Sequence, residues 1–403
     1  MLIAVVDDEG GLSTMDERGG SVVSYEAPGV AFGSLAWSPD GSKVAAIGRG
    51  PDGASIYVFG VRRSVSGGGA EPVVIYRNPG RPPFYLYWTP DGRRLAFLAT
   101  EPDGISLRIA PADASAPVDG SGPGALIRQG EPFYFAWQGA DRLLLHVGSG
   151  PSAFVGEVGL DGASVAPALS EPGDFRTAGT SRDGGYLAYV RSGIDSSGEI
   201  VVASRRDASE HGLPVFGPAA FVFDPTGDTL ASIAADTPIA DPLPFPIGPL
   251  RLIDAGSGAV RTVLDDPVIG FFWAPDGRTI AALVLALPAN DTPTAQVAAR
   301  TVLARPVATA TPVLGLDVRL VFVDVATGVI GSERAVRLAN QFVSGILPYF
   351  DQYALSHRVW APDSSSILLP LVDPSGRTRL VVLPAEGSDS RPIADGVRGF
   401  WSP

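Results

Sequence analysis

Residues 35–48 read LAWSPDGSKVAAIG, and the final six residues, 398–403, read RGFWSP, so the chain ends on the opening of a motif it has already used. That motif is a strand ending in tryptophan, a tight turn and a second apolar strand. In the turn, Pro presets φ, Asp bonds the backbone two residues on, and Gly supplies a positive φ. The pattern recurs as WTPDG at 88, WQGAD at 137, TSRDG at 180, FDPTG at 223, WAPDG at 273, WAPDS at 360 and WSP at 401. Successive starts lie 41 to 51 residues apart, except for the 87 residues between 273 and 360. A period of about 40 to 50 residues is that of propeller blades. All six tryptophans, Trp37, Trp88, Trp137, Trp273, Trp360 and Trp401, fall at this one position, where a large flat side chain fills the wedge between adjacent twisted sheets.

Each turn leads into an apolar strand such as KVAAIG or TIAALV, then a third strand such as SIYVFG or RLVFVD, an Asp- and Gly-based turn, and a short fourth strand. Four antiparallel strands per repeat make one blade. Residues 1–33 supply three strands, near LIAVVDD, GLSTMD and SVVSYE, without an inner strand, and GVRGFWSP at 396–403 supplies it. The sequence therefore predicts an all-β fold, a closed eight-bladed β-propeller of four-stranded antiparallel blades forming one domain over 1–403. Residues 1–33 and 396–403 share its first blade, so that the ring has no free edge.

The Trp-Ser-Pro-Asp-Gly turn followed by KVAAIG resembles the TolB-type propeller repeat, a WD-like repeat also seen in the propellers of prolyl oligopeptidase and the dipeptidyl peptidases. The resemblance covers the whole chain, strongest at 37, 88, 273 and 360 and degraded at 137, 180 and 223. It implies a propeller whose relatives bind proteins, peptides or glycans, or gate an attached hydrolase. A propeller by itself selects none of these. It also implies an extracytoplasmic setting, secreted, periplasmic or at the cell surface, if a signal was removed before residue 1; the start MLIAVVDDEG has no basic stretch of its own, and otherwise the expectation is cytoplasmic.

Composition removes several function classes. A net charge of -13 argues against a nucleic-acid groove, which needs clustered Lys and Arg. With no cysteine, disulfides, thiolate catalysis and Cys-bound metals are excluded. The longest apolar run, TIAALVLALPA at 279–289, is far short of the roughly 20 residues of a membrane span. The three histidines, His146, His211 and His357, make no zinc pattern, and no G-x-S-x-G, P-loop or D-x-D-x-D-G calcium loop occurs. Accordingly no cofactor, no metal and no catalytic residue is assigned.

Function is expected where the ring is elaborated. The segments 236–249 and 287–315 each join a second to a third strand, and 340–357 joins a fourth strand to the next inner strand, which puts all three insertions on one face. Within the last, PYFDQYALSHR brings together Tyr349, Phe350, Asp351, Tyr353, His357 and Arg358. Aromatic area combined with polar groups suits a sugar ring or a peptide, although Phe350, lacking a polar end, reads as an anchor of the loop. Three residues before each motif start stand Ser34, Tyr85, Tyr134, Thr177, Ala220, Gly270, His357 and Arg398, with Arg176 and Arg358 one residue away. Equivalent positions in a ring face a common centre. The candidate ligand-binding set is therefore Tyr85, Tyr134, Arg176, Tyr349, Asp351, Tyr353, His357, Arg358 and Arg398. The expected role is non-catalytic binding of a protein, peptide or glycan. A hydrolase or lyase centred on His357 over the channel, or a gate for a separate hydrolase, are the alternatives.

Overall fold

A computed structural model of the chain describes residues 1–61, 71–113, 124–165, 178–192, 197–238, 245–286, 315–387 and 389–403. The chain opens with β1 (Leu2–Val6), β2 (Leu12–Asp16) and β3 (Val23–Tyr25). A four-stranded antiparallel sheet follows in sequence order, β4 (Ala31–Trp37), β5 (Lys43–Gly50), β6 (Gly53–Gly60) and β7 (Val73–Arg77). The next is β8 (Pro83–Trp88), β9 (Arg94–Glu101), β10 (Gly104–Pro111) and β11 (Ala125–Gly130). Then come β12 (Phe133–Gln138), β13 (Arg142–Val147) and β14 (Phe154–Gly159), edged by a bridge between Val158 and Ser164.

From there one ladder of thirteen antiparallel strands runs through β15 (Gly179–Thr180), β16 (Tyr186–Ser192), β17 (Ser197–Ser204), β18 (Glu210–Phe223), β19 (Thr229–Ala235), β20 (Gly248–Asp254), β21 (Val260–Trp273), β22 (Thr279–Leu285), β23 (Leu316–Asp324), β24 (Ile330–Leu338), β25 (Ser366–Val372), β26 (Thr378–Pro384) and β27 (Arg391–Asp395). It is continuous because β18 and β21 are each 14 residues long and serve two units, and because β24 joins β25 through the single pair of Leu338 with Leu371. The first part of β18 pairs with β17 and its last part with β19, with the register shift falling between Phe216 and Ala220 at Gly217-Pro218. β21 does the same around Pro267. Proline holds φ in the extended range but removes a ladder donor, so the chain changes sheets without leaving the strand.

The two chain ends pair with each other. β28 (Arg398–Trp401) pairs antiparallel with β1, in the register Ile3 with Trp401, Ala4 with Phe400, Val5 with Gly399 and Val6 with Arg398, which gives the sheet order β28-β1-β2-β3. The turn chemistry is completed across the gap. In the intact copy the Ser38 hydroxyl donates to Asp40 Oδ1 (2.7 Å) and accepts from Lys43 N (2.9 Å), while Gly41 takes φ +67°. Thr89 with Asp91 and Ser181 with Asp183 repeat the arrangement. At the seam, Leu2 N donates to Ser402 Oγ (3.2 Å) and Ser402 N to Leu2 O (2.8 Å). Leu2 thus stands where Lys43 stands in the unbroken turn.

The tryptophans do more than fill wedges. The indole Nε1 of Trp88 donates to Ala36 O (3.0 Å), that of Trp273 to Val222 O (3.0 Å), that of Trp360 to Phe272 O (3.0 Å) and that of Trp37 to Phe400 O (2.9 Å). Each acceptor lies one residue before the motif position of the preceding repeat, so these four residues tie successive inner strands together by directed bonds. Trp137 and Trp401 have the ring but no acceptor for it among the described residues.

The central channel as candidate functional site

Tyr85 and His357, from separate repeats, lie with their rings 5.9 Å apart, and the space beside them is covered. The insertion 340–357, expected as a long loop, folds into α1 (Asn340–Gly345), a 3-10 turn (Leu347–Tyr349) and α2 (Phe350–Ser356). Phe342, Ile346, Phe350 and Tyr353 recur at helical spacing and are all buried, the pattern of an amphipathic segment with its apolar side on the core. α2 lies across β8, β12, β18 and β21. Phe350, fully buried, meets Phe271 and Phe272 at ring separations of 5.1 and 6.0 Å. Its role is the anchor that its side chain suggests.

Several residues expected to bind a ligand from this face hold the helix down. Tyr85, 4% exposed, shares a 2.6 Å hydrogen bond with Ser356 Oγ and donates to Gln352 O (3.2 Å). Its ring meets Tyr353 at 5.4 Å and His357 at 5.9 Å. His357 packs on Phe400 (4.6 Å) and Tyr353 (4.9 Å), and its Nδ1 lies 2.6 Å from Ser356 Oγ. Burial, then the nearby Arg398 charge, push its pKa from 6.5 down to about 3. The ring is thus neutral at ordinary pH and inaccessible as a proton shuttle. Burial likewise raises the phenols of Tyr85 and Tyr353. Arg398, half-buried in β28, approaches α1 at Gly345. Tyr349 is 54% exposed. Arg176 lies outside the described residues, as do 239–244 and 287–314 of the other two insertions.

Beneath α2 a cavity of about 670 Å³ remains, and it runs to the opposite rim. Asp351, Ser356, His357 and Arg358 form its floor. Tyr87, Tyr134, Trp137, Phe221, Phe272 and Trp360 belong to its wall. Arg182, Asp224, Pro225 and Pro275 mark the mouth, and these come from the turns that follow the inner strands. Of the predicted set, Tyr134, Asp351, His357 and Arg358 reach this space, while Tyr85, Tyr349, Tyr353 and Arg398 do not line it. Asp351 is 8% exposed and accepts Gln352 N (2.9 Å). Tyr87, Arg182 and Phe223 lie on the face without insertions and so carry no elaboration to mark them in the sequence. The signal that was present is the turn position itself, where Arg182 replaces the proline of the motif.

Among the described residues no group of three or more His, Cys, Asp or Glu could hold a metal ion, and no helix is long and apolar enough to cross a membrane. No family model and no curated protein sequence matches the chain. Solved structures are similar in fold. A eukaryotic initiation factor superposes with a TM-score of 0.56 at 12% identity, over 99% of this chain and 98% of that one. Dihydro-heme d1 dehydrogenase NirN in complex with DHE gives 0.56 at 15% identity, over 99% of this chain and 74% of that one. TolB from Acinetobacter baumannii gives 0.37 at 16% identity over 64% of this chain and 65% of that one. At such identities likeness extends to fold alone, and the fold of radially arranged antiparallel sheets is that of a β-propeller.

Proposed function

We propose that the chain is a non-catalytic binding module, a single propeller of eight blades over 1–403 closed by its own ends, and that its ligand enters the central channel from the rim of the inner-strand turns. Closure is supported by β28 having neighbours on both sides: Trp37 Nε1 donates to Phe400 O on one, and Trp401 N donates to Arg358 O (2.9 Å) on the other. Eight motif starts in the sequence fit eight blades. The single observation that carries the site is α2 across one end of the channel, leaving about 670 Å³ open at the other. That volume is within the range of about 300 to 1,000 Å³ for ligand pockets. The protein, peptide or glycan partner expected from the sequence therefore presents a small group or chain end to the channel, rather than lying on the inserted face. An enzyme centred on His357 is disfavoured by the burial and low pKa of that imidazole. An extracytoplasmic location belongs to the same reading and rests on the repeat resemblance.

Gly179 in β15 lines the cavity, and a Cβ there would meet only a Phe223 ring carbon at 3.8 Å. Gly179→Leu should narrow the channel without disturbing the sheet. In a screen of the purified chain against glycan and peptide arrays, binding to the wild type that this variant loses supports the channel. Binding that instead disappears only when 340–357 is shortened returns the site to the inserted face.

A further inference from the structure

The channel wall carries positive charge that no carboxylate among the described residues pairs with. Arg358, on the floor, and Arg182, at the mouth, make no ion pair and no side-chain hydrogen bond among the described residues. Several arginines elsewhere are matched: Arg81 and Arg108 converge on Glu101, Arg319 bridges Asp266 and Glu333, and Arg337 grips Asp317. Two carboxylates also line the cavity, yet both are committed. Asp224 accepts Thr226 N (2.8 Å) and Thr226 Oγ1 (2.9 Å) within its own turn. Asp351 is buried at the start of α2 and takes Gln352 N. Arg358 is exposed to solvent where it borders the cavity, so its guanidinium is open to whatever enters the channel. Between the two arginines the wall is flat and apolar, with Trp137, Phe223 and Trp273. The Tyr87 phenol, without a hydrogen bond among the described residues, opens on the same space.

Resting on the channel reading above, we propose that the ligand is a small organic acid, a carboxylate carried on a flat, largely apolar ring, with Arg358 as the forked partner of the carboxylate and the aromatic wall as the partner of the ring. A guanidinium suits this because it presents two parallel donors to the two carboxylate oxygens. The ring stacks where Trp137 and Trp273 offer area, and Arg182 at the mouth favours entry of a negative charge.

Isothermal titration calorimetry with 2-naphthoate and its neutral counterpart 2-naphthamide tests this on the full chain. The expected result is tighter binding of naphthoate by at least about tenfold, the effect of a charge-assisted pair. Arg358→Gln should abolish that preference while leaving naphthamide affinity within about twofold, and Arg358→Lys, which keeps the charge but not the fork, should fall between. Gly179→Leu should weaken both probes. Equal affinity for the two probes, or naphthoate binding unchanged in Arg358→Gln, overturns the acid as ligand; if Gly179→Leu still abolishes binding, the channel reading survives. Naphthoate binding indifferent to Gly179→Leu, or none at about 5 mM, overturns the inference in its entirety. Melting curves of each variant establish that a loss of binding is not a loss of fold.

Discussion

His357 ties the pH dependence of stability to the cap over the channel. Its imidazole sits between Tyr353, Tyr85 and Phe400 with Ser356 Oγ at 2.6 Å from Nδ1, and burial, reinforced by Arg398, lowers its pKa from 6.5 to about 3. Above pH 6.5 both folded and unfolded chains hold the ring neutral, so its contribution is fully present. As pH falls from about 6.5 towards 3 the unfolded chain binds a proton that the folded one refuses, and stability is lost at about 1.4 kcal/mol per pH unit. Between pH 8 and pH 5 that amounts to about 2 kcal/mol, and the limit near pH 3 is about 5 kcal/mol. For a chain of this length, 2 kcal/mol corresponds to roughly 2 to 3 °C in Tm. Calorimetric melts of the wild type and His357→Phe at pH 8, 6.5 and 5 isolate the effect, because every other titrating group is common to both. The variant should start lower at pH 8, having lost the Ser356 bond, and the gap should close by about 2 kcal/mol at pH 5. Two curves that run parallel from pH 8 to pH 5 would refute the claim that this histidine is buried neutral under α2.

Three further outcomes follow from the packing. Deleting residues 396–403 uncovers the edge of β1 and removes Phe400 and Trp401, which are 3% and 1% exposed; the loss should exceed about 5 kcal/mol, seen as a Tm lower by at least about 6 °C. Trp88→Phe should cost about 1 kcal/mol more than Trp137→Phe in urea unfolding, since only the former indole has a carbonyl acceptor, Ala36 O. Phe350→Ala should destabilise by about 3 to 5 kcal/mol, and hydrogen exchange should show α2 opening before the strands beneath it, because Phe350 is the side chain that fixes the helix to Phe271 and Phe272.

The fold was legible because its evidence is local and repeated. A strand, Trp, Pro-Asp-Gly and a second strand recur at a blade-sized period, and the orphaned strand at 398–401 needed only a partner, which β1 provides. The indole bonds were not legible, since an acceptor such as Val222 O for Trp273 belongs to the previous repeat and depends on how far the sheets are rotated about the axis. Nor was the single thirteen-stranded ladder, because Gly217-Pro218 reads as a break, whereas Gly217 takes φ +71° within a register shift and the pairing resumes at Ala220.

The candidate site divides along the same line. Counting three residues back from each motif start groups Tyr85 with His357, whose rings lie 5.9 Å apart, because a repeat places equivalent residues equivalently. What it could not supply is the occupant of that mouth, which comes from outside the repeat. Phe342, Ile346, Phe350 and Tyr353 carried a helical period, but periodicity says only that a face is apolar and not which surface it meets. Once α2 occupies one end, an aromatic or polar residue there is an anchor, and the same residue types one step further along the strand face open space. Arg358 shows the distinction. It follows His357 directly in the chain and both border the cavity, but the imidazole is packed against Tyr353 and Phe400 while the guanidinium is exposed, so one residue closes the end of the channel and its neighbour charges it.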